Sequence, residues 1–125
     1  MNKLNKSEVE RIAPMILNWC IRKYGVKPHK NYINLHITYS KFTDGIEYGE
    51  YQWDTNTIVV FYNATRTLRS LITTIIHEYT HSLQNRAWYT RYDSIYEYFD
   101  NPYEIEAYAR EDDWEIASRD VLTNI

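Results

Sequence analysis

The run His77-Glu78-Tyr79-Thr80-His81 follows the apolar pair Ile75-Ile76 and sets two imidazoles four positions apart, with a carboxylate beside the first. One helical turn rises about 5.4 Å, so side chains at that spacing stack on one side and can reach a single ion. Glu78 points to the neighbouring side, where it can take a proton from water at the ion without itself being a ligand. The chemistry written here is metal-assisted hydrolysis. The competing reading is a solvated helix face that carries two histidines and an acid. The apolar residues before His77 favour a helix that belongs to the core.

A catalytic zinc takes three protein ligands and keeps a fourth position open. No histidine follows His81; His36 falls on the polar side of a strand and is a minor candidate, and His29 reads as a surface loop residue. The better source is the acidic stretch Asn101-Pro102-Tyr103-Glu104-Ile105-Glu106-Ala107. Glu104 and Glu106 are two residues apart on one helix and face different ways, so only one of them can bind. Glu104 has a second reading, as a capping-box side chain for Asn101 or a negative charge suited to a helix N-terminus. Helix phase leaves the choice open, because apolar residues lie beside both.

The motif His77-Glu78-Tyr79-Thr80-His81, followed after 22 residues by Glu104-Ile105-Glu106-Ala107, resembles the gluzincin kind of zinc metallopeptidase. Within that group the downstream run is similar to the small intracellular IrrE-like regulators and to the membrane-bound prenyl-protein peptidases. The likeness spans about Leu68 to Glu111 and implies a minimal zincin-like domain in which the first acid of the downstream run, Glu104, completes the zinc site. That pattern often has a carboxamide or carboxylate four residues past the ligand to steady a metal-bound histidine; this chain has Tyr108 there. In related enzymes an edge strand ahead of the metal helix holds an extended peptide by strand addition, and Thr57 to Phe61 is the strand nearest in sequence.

The expected function is therefore zinc-dependent hydrolysis of a peptide bond, with zinc (Zn2+) on His77, His81 and Glu104. Glu78 acts as general base and then as donor to the leaving amine. Charge developing on the carbonyl oxygen wants a further donor. With no downstream histidine the candidates are Tyr89, Tyr92, Tyr96 and Tyr108, and Tyr92 and Tyr108 are carried forward as catalytic. A reading from another class is a zinc-stabilised protein-interaction module, with the tyrosine-rich segment as its contact face.

The elements that must position these residues follow from periodicity. Ser7-x-x-Glu10 offers a capping box for a first helix, whose stripe is Val9, Ile12, Ala13, Ile16, Leu17 and Cys20, with Pro14 as a kink or a later start and Gly25 as its end. From Asn31 the period drops to two, with Ile33, Leu35, Ile37 and Tyr39 on one side. Turn signals at Asp44-Gly45 and Asp54-Thr55-Asn56 bracket a strand at Tyr51 and Trp53 and lead to another at Thr57–Phe61. The short connections predict a three-stranded, mostly antiparallel sheet. Leu68, Leu71, Ile72, Ile75, Ile76 and Tyr79 restore the helical period; 85–100 shows none and reads as a long connection over the site. Asn101-Pro102 opens a last helix carrying Ala107, Ala109, Trp114, Ala117 and Val121.

The bulk numbers agree with one α+β domain over residues 1–125: 44% hydrophobic and 25% charged residues are ordinary for a folded chain. A net charge of -3 gives no basic footprint, so no nucleic-acid partner is expected. The single cysteine, Cys20, excludes an intrachain disulfide and reads as a buried thiol. The charged N-terminus lacks a long apolar stretch, so the expectation is a cytoplasmic protein without a membrane anchor, acting on a peptide or protein substrate.

Overall fold

The computed structural model describes residues 3–28, 32–40 and 47–123. Helix α1 spans Lys6–Tyr24 and is capped two residues earlier than Ser7 suggests. The Asn5 side chain accepts from Glu8 N–H at 2.8 Å, and the Glu8 carboxylate accepts from Asn5 N–H at 3.1 Å. Pro14 does not break the helix: it and Glu10, whose carbonyl it leaves without an N–H partner, sit on the exposed face, where water can serve instead. The inner stripe is the expected one with Trp19 added, and Cys20 is fully buried, its thiol pushed upward in pKa by that burial. Gly25 ends the helix at φ +80, a conformation that disfavours any side chain.

The alternation over β1, Asn34–Thr38, and the turn after β2, Gly49–Gln52, are as expected; Asp44-Gly45, Asn31 and His29 lie outside the described residues. The sheet has the expected three strands, in the order β1-β3-β2, with β3, Thr57–Phe61, in the centre, parallel to β1 and antiparallel to β2. The sheet is mixed rather than mostly antiparallel, because β3 inserts between two strands that precede it. The physical signal was the composition of β3. Thr57, Ile58, Val59 and Val60 are all buried, which requires cover on both faces and suits a central strand. Among the described residues, the sheet edge nearest the metal-motif helix is therefore β2.

Helix α2, Leu68–Leu83, starts from Thr67 and Ser70, whose side chains cap each other's backbone N–H. Leu71, Ile72, Ile75 and Ile76 are fully buried, each worth about 1.5–3 kcal/mol of apolar burial. They pack α2 against α1 and the sheet. The segment after α2 is not an open connection: α3 runs Arg86–Ile95 and a 3-10 turn covers Tyr98–Asp100. It escaped the periodicity argument because α3 buries none of its residues; its sequence mark is Asn85, which accepts from Trp88 N–H at 3.0 Å. The last helix is two helices, α4 Pro102–Arg110 and α5 Trp114–Leu122, joined by a 3-10 turn at Glu111–Asp113. Ala107, Ala117 and Val121 face inward as expected, whereas Ala109 is exposed. Among the described residues no helix is long and apolar enough to cross a membrane.

Gly49 decides how closely β2 approaches α2. A Cβ at this position would lie 2.6 Å from Val59 O and 2.8 Å from Thr74 Cγ2. The backbone oxygen cannot yield without disturbing the β2–β3 pair. Gly49→Ala is expected to destabilise the fold by about 1–3 kcal/mol through overpacking. Urea unfolding should show a lower midpoint at unchanged slope.

Candidate metal centre

The apolar stripe of α2 fixes the phase of its C-terminal half. With Ile72, Ile75, Ile76 and Tyr79 inward, the stripe through His77 and His81 turns toward α4. Both histidines are 5% exposed, which excludes the solvated-face reading. Across from them the fully buried Asn101 caps α4 by accepting from Tyr103 N–H at 2.9 Å, and Pro102 takes the first helical position. That start aims Glu104, 2% exposed, at the imidazoles. Its Oε1 lies 2.9 Å from His77 Nε2 and 3.2 Å from His81 Nε2. Glu104 is thus the acid that meets the histidines and is not a cap.

Glu106 is exposed and acts one step back. Gln84 Nε2 donates to Glu106 Oε1 at 2.8 Å and to Tyr103 O at 3.0 Å, which turns Gln84 Oε1 toward His81 Nδ1 at 2.7 Å. Glu111 does the same for the other ring, its Oε2 accepting from His77 Nδ1 at 2.8 Å. Acceptors on both Nδ1 atoms place the protons there and leave the two Nε2 lone pairs for an ion. Neither Gln84 nor Glu111 was picked out from the sequence. The available signals were spacing alone: Gln84 is three past His81, and Glu111 is seven past Glu104 on the same side of the chain. Glu111 supplies the orienting carboxylate that the resemblance places at position 108.

The remaining candidates divide. Tyr108 stands over the site with its ring 4.5 Å from the His77 ring, edge to face, and its hydroxyl 3.3 Å from that of Tyr98. Tyr92 is not brought to the cleft wall; its ring packs among Trp88, Tyr96 and Tyr103. The structure therefore corrects the choice of Tyr92, since α3 turns Tyr89 inward and Tyr92 aside. Tyr89 donates to Glu104 Oε2. His36 is exposed on β1, away from the site.

A cleft of about 760 Å3 opens over these groups, walled by β2 and Trp53, by α2 from Ser70 to His81, and by Tyr98, Phe99, Tyr108 and Glu111. Glu78 lines it beside both imidazoles. Burial raises the Glu78 carboxyl to about 7, against the pull of His77 and His81 and with a further push from Glu104 and Glu111. For His77 burial works downward, but hydrogen bonds to Glu104 and Glu111 and the charges of Glu78 and Glu104 prevail and hold it near 9. Burial works against ionisation of Glu104 as well, yet its bonds from His77, His81 and Tyr89 keep it well below the usual carboxylate range.

The donor set fits zinc. Ligand atoms bound at about 2.0–2.2 Å in a tetrahedron sit about 3.3–3.5 Å apart, and the two nitrogen–oxygen separations here are 2.9 and 3.2 Å, with all three ligating atoms within 4.8 Å of one another. Two imidazoles and one carboxylate suit zinc better than calcium or magnesium, which prefer oxygen alone. Comparison of this chain with family models, curated proteins and solved structures finds no match.

Two outcomes are expected. Glu111→Gln should weaken zinc binding about 10- to 100-fold, as read by competition with a chromophoric chelator, because the ring it orients loses an anionic partner. In chelator-stripped protein, stability should fall as pH rises. A histidine raised from 6.5 to about 9 on folding contributes its full stabilisation below pH 6.5 and loses it as pH passes 9. Glu78, raised from 4.5 to about 7, acts in the same direction between those values. The His77 part is on the order of 3 kcal/mol, and the Glu104 shift reflects the same contacts. Thermal unfolding in chelator from pH 5 to 9 reads the slope; a flat profile contradicts the cluster.

Proposed function

We propose that the chain is a zinc-dependent peptidase, with His77, His81 and Glu104 holding the ion and Glu78 as general base. The observation that carries this reading is the convergence of the three buried donors beside the Glu78 carboxylate on the cleft wall. When bound, zinc supplies a Lewis acid that polarises a carbonyl and makes nearby water acidic at neutral pH. Glu78, on the cleft wall beside the imidazoles, would accept the proton of the attacking water and return it to the leaving amine. Tyr108, on the cleft wall against His77, is the candidate donor to the carbonyl oxygen.

The edge of β2 supports a peptide rather than a small ester as substrate. Phe61 N–H donates to Tyr48 O at 3.0 Å, making that a hydrogen-bonded pair. The antiparallel alternation then turns the backbone groups of Gly49 and Tyr51 away from β3, toward the side of the strand where no described strand pairs. Tyr48, Gly49, Glu50 and Tyr51 all line the cleft, so an extended segment added there lies alongside Glu78.

A zinc-stabilised interaction module is the second reading, favoured by the exposed Trp88, Tyr96 and Phe99 on α3 and the turn after it. Glu78→Gln separates the two. A peptidase should lose about 10²- to 10⁴-fold in cleavage of an unstructured protein such as casein while binding one zinc as before. Equal cleavage by the variant rules out Glu78 as base; no cleavage by wild type, together with unfolding on chelation, favours the module.

A further inference from the structure

Glu104 divides its two oxygens. Oε1 is the atom that both Nε2 nitrogens approach, at 2.9 and 3.2 Å, while Oε2 accepts the hydroxyl of Tyr89. We propose that Tyr89 is a positioning residue for the metal carboxylate: by occupying Oε2 it commits Glu104 to the ion through Oε1 alone. The proposal rests on the zinc reading of His77, His81 and Glu104.

The placement of the phenol is specific. Asn85 caps α3 directly after Gln84, the residue that ends α2 and orients His81, so the start of α3 is tied to the metal helix. Four residues on, the Tyr89 ring stands edge to face with His81 at 5.3 Å and lies 5.5 Å from Trp53. The rest of α3 buries nothing, so core packing does not explain why this ring turns inward. Its hydroxyl ends on a carboxylate that is 2% exposed, where water has little access to satisfy the second oxygen. A carboxylate can ligate through one oxygen or two, and two would take a position that substrate and water need. A phenol held on Oε2 opposes the second mode, and because it is neutral it does so without offsetting the charge that attracts the ion. This differs from donating to the substrate carbonyl, since Tyr89 acts through Glu104.

Cobalt(II) in place of zinc gives the readout, because its visible bands weaken as coordination number rises. Wild type, Tyr89→Phe and Tyr92→Phe are loaded with one equivalent of cobalt, with near-ultraviolet circular dichroism as the check on folding. Phenylalanine keeps the ring packing and removes only the hydroxyl. The expected result is a clear loss of band intensity in Tyr89→Phe and a wild-type spectrum in Tyr92→Phe, whose ring lies on the same helix outside the cleft. Identical spectra for wild type and Tyr89→Phe overturn the role of Tyr89 and leave the metal site standing; an equal loss in Tyr92→Phe overturns it as well, by tracing the effect to α3 packing. A wild type that takes up no cobalt removes the metal site and this role with it. Infrared spectra of wild type alone give a second reading: zinc-loaded minus stripped protein should show widely split carboxylate stretches, as for one-oxygen ligation, and a narrow splitting overturns the proposal.

Discussion

Three side chains able to carry charge are buried together where α2 meets α4, and the rest of the molecule is arranged around that cost. Removing an isolated ion from water is expensive, and a buried pair recovers the expense only when its remaining hydrogen-bonding capacity is met. Here it is met on every side: Glu111 and Gln84 behind the rings, Tyr89 behind the carboxylate. A buried arrangement of this completeness is a poor way to stabilise a small domain, since apolar residues of like volume would serve as well. It is a good way to hold three donors at one point.

What could be read from the sequence was what depends on nearest neighbours along the chain. The α2 stripe, the stacking of His77 on His81, the alternation of β1 and the Asn101-Pro102 start are set by local spacing, and each stands in the structure. The sheet order was not legible, because it depends on which of three short strands is buried twice; Thr57-Ile58-Val59-Val60 carried that signal, but nearness in sequence to α2 pointed to the wrong edge. Helix α3 was hidden for the opposite reason. A helix that buries nothing leaves no stripe, and Asn85 alone marks it.

The choice between Glu104 and Glu106 shows where pattern ends and geometry begins. Both lie on α4 with apolar neighbours, so phase could not separate them. What separates them is the position of the helix start relative to α2: Asn101 is fully buried, which seats the first turn of α4 against the end of α2 and puts the third residue after the cap nearest the imidazoles. Two residues later the chain has turned through about 200°, and Glu106 meets Gln84 instead.

That turn explains how so short a chain assembles a complete site. Glu104, Tyr108 and Glu111 follow one another at intervals of four and three, the spacing of a single helical face, and the structure finds all three against His77: a carboxylate at Nε2, a ring edge to face, a carboxylate at Nδ1. Here one face of α4, prolonged by the 3-10 turn at Glu111–Asp113, grips one histidine from three directions, while Gln84 and Tyr89, from the chain that leaves α2, attend to the other histidine and to the far oxygen. The two lines of support meet at Glu104, whose Oε2 accepts from Tyr89 of α3, and again at Gln84, which donates to Glu106 and to Tyr103 O of α4. The placement of Glu104 is therefore set jointly by α3 and α4.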